Sequence, residues 1–348
     1  MLFDIKNFYE LIHKYNLIKK KVEIKKELLP SEKESKIKNN ISNSPFFSNK
    51  FNNILNKESV NIHYKINVFE PFNTKINIYT STLQINYIKK LLNYILFIEY
   101  LAIYHWNFKN IHPLNIYLVP LNIKKNLPIK YEPISIENIN SAATNIYFNE
   151  PGRGDIFIWR KSEMTKVLVH ELLHSFNYDQ NLIYLSNKDT KIFPINSLNL
   201  NETYTEFGAN IICLGLNSYK NRGTFSDFKS TFTKKVEQEM ELSCKNVRRL
   251  LNYNKLKNVN DFLTNKYEQN ASIFSYVVLK SAILFALVKN KEIRLFIDKF
   301  PFPFEGEHKE YVEKLYQLFN YKYWSEYIDV ISSKRLKIGG DFYFTTIH

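Results

Sequence analysis

Residues 168–176 read Leu-Val-His-Glu-Leu-Leu-His-Ser-Phe, which sets His170 and His174 four apart with Glu171 beside the first. On a helix, residues four apart share a face, so the two imidazoles stand one turn apart and can supply two ligands of a tetrahedral zinc ion. A carboxylate next to the first ligand lies beside the metal without taking a coordination position. There it can accept a proton from an activated water. The competing reading is an apolar core helix that carries two histidines by coincidence. With 8 histidines in 348 residues, that coincidence is common enough across a proteome for the motif alone to stay a hypothesis.

A second segment changes the weighing. Residues 199–216, Asn-Leu-Asn-Glu-Thr-Tyr-Thr-Glu-Phe-Gly-Ala-Asn-Ile-Ile-Cys-Leu-Gly-Leu, have helical apolar periodicity interrupted by Glu202 and Glu206 one turn apart. A carboxylate from a second helix completes a His-His-Glu set with an open fourth position, and a further carboxylate can accept the free ring N–H of a ligating histidine. Helix-end electrostatics explain an acid in the first turn, such as Glu202, but explain Glu206 poorly because it lies beyond that turn.

The pair of motifs, His-Glu-Leu-Leu-His at 170–174 and Asn-Glu-Thr-Tyr-Thr-Glu at 201–206, resembles the thermolysin-like gluzincin metallopeptidases. The resemblance spans roughly residues 60–216 and is specific only at the motifs. Residue by residue, it implies that His170, His174 and Glu202 are the ligands of one Zn2+ per chain and that Glu171 is the general base. Glu206 stands where the family has an aspartate, and its longer side chain leaves the assignment between Glu202 and Glu206 open. The resemblance also implies a zincin-like α+β fold, with a mixed sheet and active-site helix followed by a mainly helical lobe. It further implies an edge strand near Ala142 and Ala143 that binds peptide substrate through its backbone. The expected activity is zinc metalloendopeptidase. An oxyanion donor is expected from the helical lobe, where Tyr204, Tyr276, Lys280 and His308 are candidates and Tyr276 is preferred. Metzincins resemble the first motif but need Gly at 177 and His or Asp at 180, where this chain has Asn177 and Gln180. The Gly-Thr-Phe-Ser-Asp run at 223–227 is similar to an aspzincin segment, with Asp227 shifted by one residue.

Elements must position these side chains. Alternation predicts strands at 61–71, 114–123, 140–148 and 155–160, with the turn-rich 149–154 before the last. Helical periodicity predicts a helix over 80–106 capped by Thr80 or Ser81, then a helix capped by Ser162 that carries the first motif. Helices are expected at 201–216, 226–252, 260–268, 271–289 and 307–332. The expected domains are a basic extension and linker at 1–59, an α/β lobe at 60–200, a helical lobe at 201–335 and a tail at 336–348.

Composition bounds the partners. A hydrophobic fraction of 45% with 16% aromatics belongs to a packed protein. Two cysteines, Cys213 and Cys244, are too few for a disulfide framework and lack thiolate zinc spacing. The apolar run 271–288 is interrupted by Lys280 and Ser281 and reads as a buried helix, so no membrane span is expected. No signal-peptide core can be drawn at the start, so the expected location is intracellular: cytoplasmic, or virion-associated if the chain is viral. The net charge of +14 favours nucleic acid or an acidic partner. This supports the alternative to a peptidase, a basic zincin-fold protein with a structural zinc that contacts nucleic acid through residues 18–38 and 245–257.

Overall fold

The computed structural model describes residues 4–81, 83–108, 111–128, 132–145, 152, 154–183, 189–264, 267–289, 300–301, 303–331 and 345–347. Among them the helices are α1 (Ile5–Leu17), α2 (Ser31–Ser42), α3 (Asn52–Lys57), α4 (Ile85–Tyr104), α5 (Ile136–Ile139), α6 (Met164–Ser175), α7 (Asp189–Ile192), α8 (Leu200–Ser218), α9 (Phe225–Tyr253), α10 (Lys280–Lys289), α11 (His308–Phe319) and α12 (Lys322–Val330). The strands are β1 (Val22–Leu28), β2 (Ile62–Val68), β3 (Thr74–Thr80), β4 (Leu114–Leu121), β5 (Ala142–Thr144) and β6 (Gly154–Arg160). The chain is mixed α+β and divides into two units. One comprises residues 11–123 and 140–178; the other comprises 1–10, 124–139 and 179–347.

The first unit holds a six-stranded sheet of order β1-β2-β3-β4-β6-β5. β1, β2 and β3 pair antiparallel, β3, β4 and β6 pair parallel, and β5 returns antiparallel on β6. Period-two alternation divides the residues between two faces. Ile66, Ile76, Ile78, Ile116, Leu118, Ile156 and Ile158 are buried on one of them. α6 packs on β5, β6 and α4. The opposite face carries a row of stacked rings, His63, Tyr79, Tyr117 and Phe157, with neighbouring centroids 4.4, 4.9 and 4.6 Å apart. Beside it runs a polar ladder in which Asn77 donates to Asn115 and Asn115 donates to Asp155, each at 3.0 Å.

The first 59 residues are not the extension and linker that their charge suggests. β1 pairs with β2 over seven residues, and α2 buries Ile37 and Ile41 in a cluster with Phe47, Leu55, Val119, Phe157 and Trp159. β1 escapes pattern reading because an edge strand wet on both faces has no apolar alternation to show. β3 was also absent from the expected strands, although Thr-Lys-Ile-Asn-Ile-Tyr-Thr alternates. Thr80 ends that strand, so the long helix starts later than expected, after Gln84, whose side chain makes no cap hydrogen bond.

The second unit is helical. α8, α9 and α10 pack together, joined by a π-helical stretch at Phe274–Leu279. The apolar run 271–288 lies here as a buried helix, and no helix among the described residues is long and apolar enough to cross a membrane. The single helix expected over 307–332 is two, α11 and α12, broken at Asn320 and Tyr321 where Trp324 turns inward to donate its ring N–H to Ser281 at 3.2 Å. Where a helix is expected over 260–268, the described residues form only a short 3-10 turn, Val259–Leu263, and of the expected tail only 345–347 are among the described residues.

One buried group in the first unit carries a pH signature. Glu99 of α4 is fully buried, and burial pushes its carboxyl up to about 8, opposed in part by the Thr74 hydroxyl. The folded state therefore binds a proton that the unfolded state, with its ordinary value of 4.5, releases. This contribution to stability is fullest below about pH 4.5 and is lost as pH rises to about 8, at roughly 1.4 kcal/mol per pH unit. Glu99→Gln should flatten that slope between pH 5 and 8 and raise stability at pH 8. Parallel urea titrations of the two proteins at several pH values check it, and identical slopes would mean the group is ionised in the fold.

Candidate functional site

The helix α6 is unusual in being buried along its whole length, all twelve residues from Met164 to Ser175. It starts at Glu163, held in a left-handed conformation with φ 60°, whose carbonyl accepts from the Val167 amide at 2.9 Å; Ser162 does not cap it. It stops in a Schellman arrangement, in which the Tyr178 amide donates to the Leu173 carbonyl and the Asn177 amide to His174, at 3.0 and 2.9 Å. Asn177 occupies the left-handed position of that motif, φ 54°, which asparagine tolerates better than other side-chain-bearing residues. Gly152, in the turn before β6, donates to the Ser175 carbonyl at 2.8 Å, and a Cβ there would meet the Phe176 ring at 2.6 Å. The end of α6 is thus fixed by its own cap and by a glycine that lets the backbone approach.

Within this frame the two histidines face each other. Nε2 of His170 lies 3.1 Å from Nε2 of His174, with ring centroids 4.7 Å apart and planes at 77°. Two nitrogens on one tetrahedral zinc at about 2.0–2.1 Å stand about 3.3 Å apart, so the donor pair fits the ion without rearrangement of the helix. Glu171 is 8% exposed, and its Oε2 accepts from the Thr144 hydroxyl at 2.6 Å. Thr144 ends β5, an edge strand of the sheet, so it fixes the carboxylate of α6 from the neighbouring element. Sequence reading missed Thr144; strand alternation, which puts it on the same face of β5 as Ala142, is the signal that could have found it.

Ala142 and Ala143 both lie on β5. Ala142 is half-buried, whereas Ala143 is buried in the cluster with Phe157 and Trp159, so its side chain serves the core. The expected strand 140–148 is shorter than predicted among the described residues, and 146–148 lie outside them. Arg160, at the end of β6, is fully buried and donates to the Asn140 carbonyl at 2.7 Å, fixing the approach to β5; burial pulls its guanidinium down to about 10.

The helical unit places the remaining candidates. Glu202 is half-buried in the first turn of α8, next to Asn201, which donates to Asp179 at 2.8 Å. Tyr311 donates to the Leu200 carbonyl at 2.9 Å and its ring meets that of Tyr204, so Tyr204 is core. Tyr276 is half-buried on the π-helical stretch, and His308 begins α11. Glu206 is buried, with Oε1 3.4 Å from Nζ of Lys280; the same Nζ is 3.6 Å from Oε1 of Glu239. Sequence reading paired Glu206 with a histidine and overlooked this ion pair, since nothing in spacing links α8 to α9 and α10. Asp227 forms a capping box with Thr224 at the start of α9, which accounts for the Gly-Thr-Phe-Ser-Asp run as a helix start.

Lys280→Met should destabilise the helical unit by about 3–5 kcal/mol, because two buried carboxylates then lose their shared cation. Denaturant melts followed by circular dichroism check it; a change under 1 kcal/mol would mean that water reaches the pair. No protein-family model matches this chain, and no curated protein and no solved structure matches it either.

Proposed function

We propose that the chain is a zinc-dependent metallopeptidase of the gluzincin type, with a zincin-like arrangement of sheet and active-site helix. His170, His174 and Glu202 hold the metal and Glu171 is the general base. The observation that carries this reading is the pair of Nε2 atoms 3.1 Å apart on α6, with Glu171 between the two histidines in sequence and fixed by Thr144. His170, His174 and Glu202 also make up a group able to offer one ligand atom each to an ion. Three protein ligands is the number used by catalytic zinc sites, whereas structural sites use four.

When bound, zinc would supply Lewis acidity, making water nucleophilic near neutral pH and polarising a carbonyl. The chain's residues supply the rest. Glu171 accepts the proton of the attacking water and returns it to the leaving amine. The Thr144 hydroxyl orients the Glu171 carboxylate during both transfers. β5, antiparallel to β6 at the edge of the sheet, offers backbone groups on which a peptide substrate can align as a further strand. Glu206 and Lys280 hold α8 to α10 one helical turn beyond Glu202.

Zinc content measured on purified protein tests the ligand set. One equivalent is expected in the wild type and none in His170→Ala or His174→Ala, because the remaining ligands hold the ion poorly. Glu202→Gln should lose the metal while Glu206→Gln keeps it; the reverse order would exchange their roles. Full occupancy in both histidine variants would remove the site altogether.

Glu171→Gln separates a catalytic from a structural centre. The amide keeps size and hydrogen-bonding capacity but cannot take the proton, so zinc content and melting temperature should stay near wild type. Cleavage of an unfolded protein or a mixed peptide library should fall by about 10²- to 10⁴-fold. Equal cleavage by wild type and variant would refute the assignment of Glu171.

A further inference from the structure

The segment Thr345–Ile347 is docked against the helical unit, with Thr345 fully buried, Thr346 exposed and Ile347 4% exposed. Its receptor is a single carboxylate oxygen. Oε2 of Glu239 accepts from the Thr346 amide at 2.7 Å, the Thr346 hydroxyl at 2.9 Å and the Thr345 hydroxyl at 3.0 Å. The Thr345 hydroxyl in turn accepts from the Ile347 amide at 3.2 Å, so it both donates and accepts, which neither valine nor alanine can do.

The electrostatics explain why such a segment belongs there. Lys280, Glu206 and Glu239 are each no more than 1% exposed, so two buried carboxylates share one ammonium. Lys280 lies 3.6 Å from Glu239 at Oε1. Oε2 needs other donors, since burying a carboxylate with its lone pairs unmatched is strongly unfavourable. Two hydroxyls and one amide from a threonine pair supply them, and the following apolar side chain is buried beside them.

We infer that Glu239, with the surrounding surface of the helical unit, is a peptide-binding site selective for a Thr-Thr-apolar sequence, occupied in cis by residues 345–347. The recognition is chemical. The ligand must present two adjacent hydroxyls and a backbone amide to one carboxylate oxygen, then an aliphatic side chain. Segments with this pattern compete for the site, and their entry displaces the chain's own residues.

The full-length chain carries the test. Amide hydrogen exchange at residue 346 and binding of a labelled peptide with the sequence of residues 341–348 are measured for wild type and for Thr345→Val/Thr346→Val. The amide should exchange at least tenfold faster in the double variant, as expected for losing hydrogen bonds to a charged acceptor. The peptide should bind the double variant at least tenfold more tightly than a peptide carrying Val-Val in place of Thr-Thr. Unchanged exchange, or equal binding of the two peptides, overturns the inference. If the double variant does not fold, Thr346→Val alone, which keeps the Thr345 hydroxyl, gives the same two readouts.

Discussion

Burial of α6 on every side is the constraint from which the local chemistry follows. A helix surrounded by protein ordinarily becomes apolar all round, because imidazole, carboxylate and hydroxyl groups taken from water must be matched by partners. α6 keeps His170, Glu171, His174 and Ser175 in that setting. Each answer to the constraint is local and specific. The histidines turn their Nε2 atoms toward one another and Thr144 reaches Glu171, while the Gly152 amide satisfies the Ser175 backbone carbonyl and not its hydroxyl. Such an arrangement holds titratable groups in fixed positions, which a metal site requires and a merely stable helix does not.

The helical unit meets the same constraint with ions and amides. Its apolar periodicity alone would let α8, α9 and α10 slide or rotate against one another, since any apolar stripe packs acceptably on another. The polar groups among them accept fewer arrangements. Asn199 donates to Ser272, Gln269 takes the Phe274 amide and donates to the Asn196 carbonyl, and Lys280 spans Glu206 and Glu239. Each needs its partner within about 3.5 Å, so register is set by chemistry more than by hydrophobic area. A buried cation between two carboxylates is a weak contributor to net stability beside an apolar substitute, and its value here lies in that selectivity.

The sheet shows how position changes what a residue means. β1 carries Glu23, Lys25, Lys26 and Glu27 at the edge of the described sheet, and charges there discourage pairing with foreign strands. Two strands inward, Asn77 and Asn115 take up the ladder to Asp155, and Tyr79 and Tyr117 stack in register. Their amides and rings meet only because β3 and β4 run parallel with Asn77 opposite Asn115.

Much of the fold was legible in the sequence. Periodicity marked α4, α8 and α9, alternation marked β2, β4 and β6, and the spacing of His170 and His174 put both imidazoles on one helical face, because these features depend only on neighbours within a few residues. Boundaries set by competition between elements were not legible: Thr80 could cap a helix or end a strand, and the strand took it. The N-terminal 59 residues read as a linker because edge strands and short covering helices show their apolar faces only against a sheet. The partners of Glu171, Glu206 and Glu239 lie 27, 74 and 106 residues away in the chain. Sequence could name Glu171 and Glu206 as chemically capable, but it gave no sign of Glu239. Which groups hold them, the Thr144 hydroxyl, the Lys280 ammonium and the Thr345–Thr346 pair, was decided by tertiary packing, since hydrogen bonds and ion pairs act over a few ångströms of space whatever the distance along the chain.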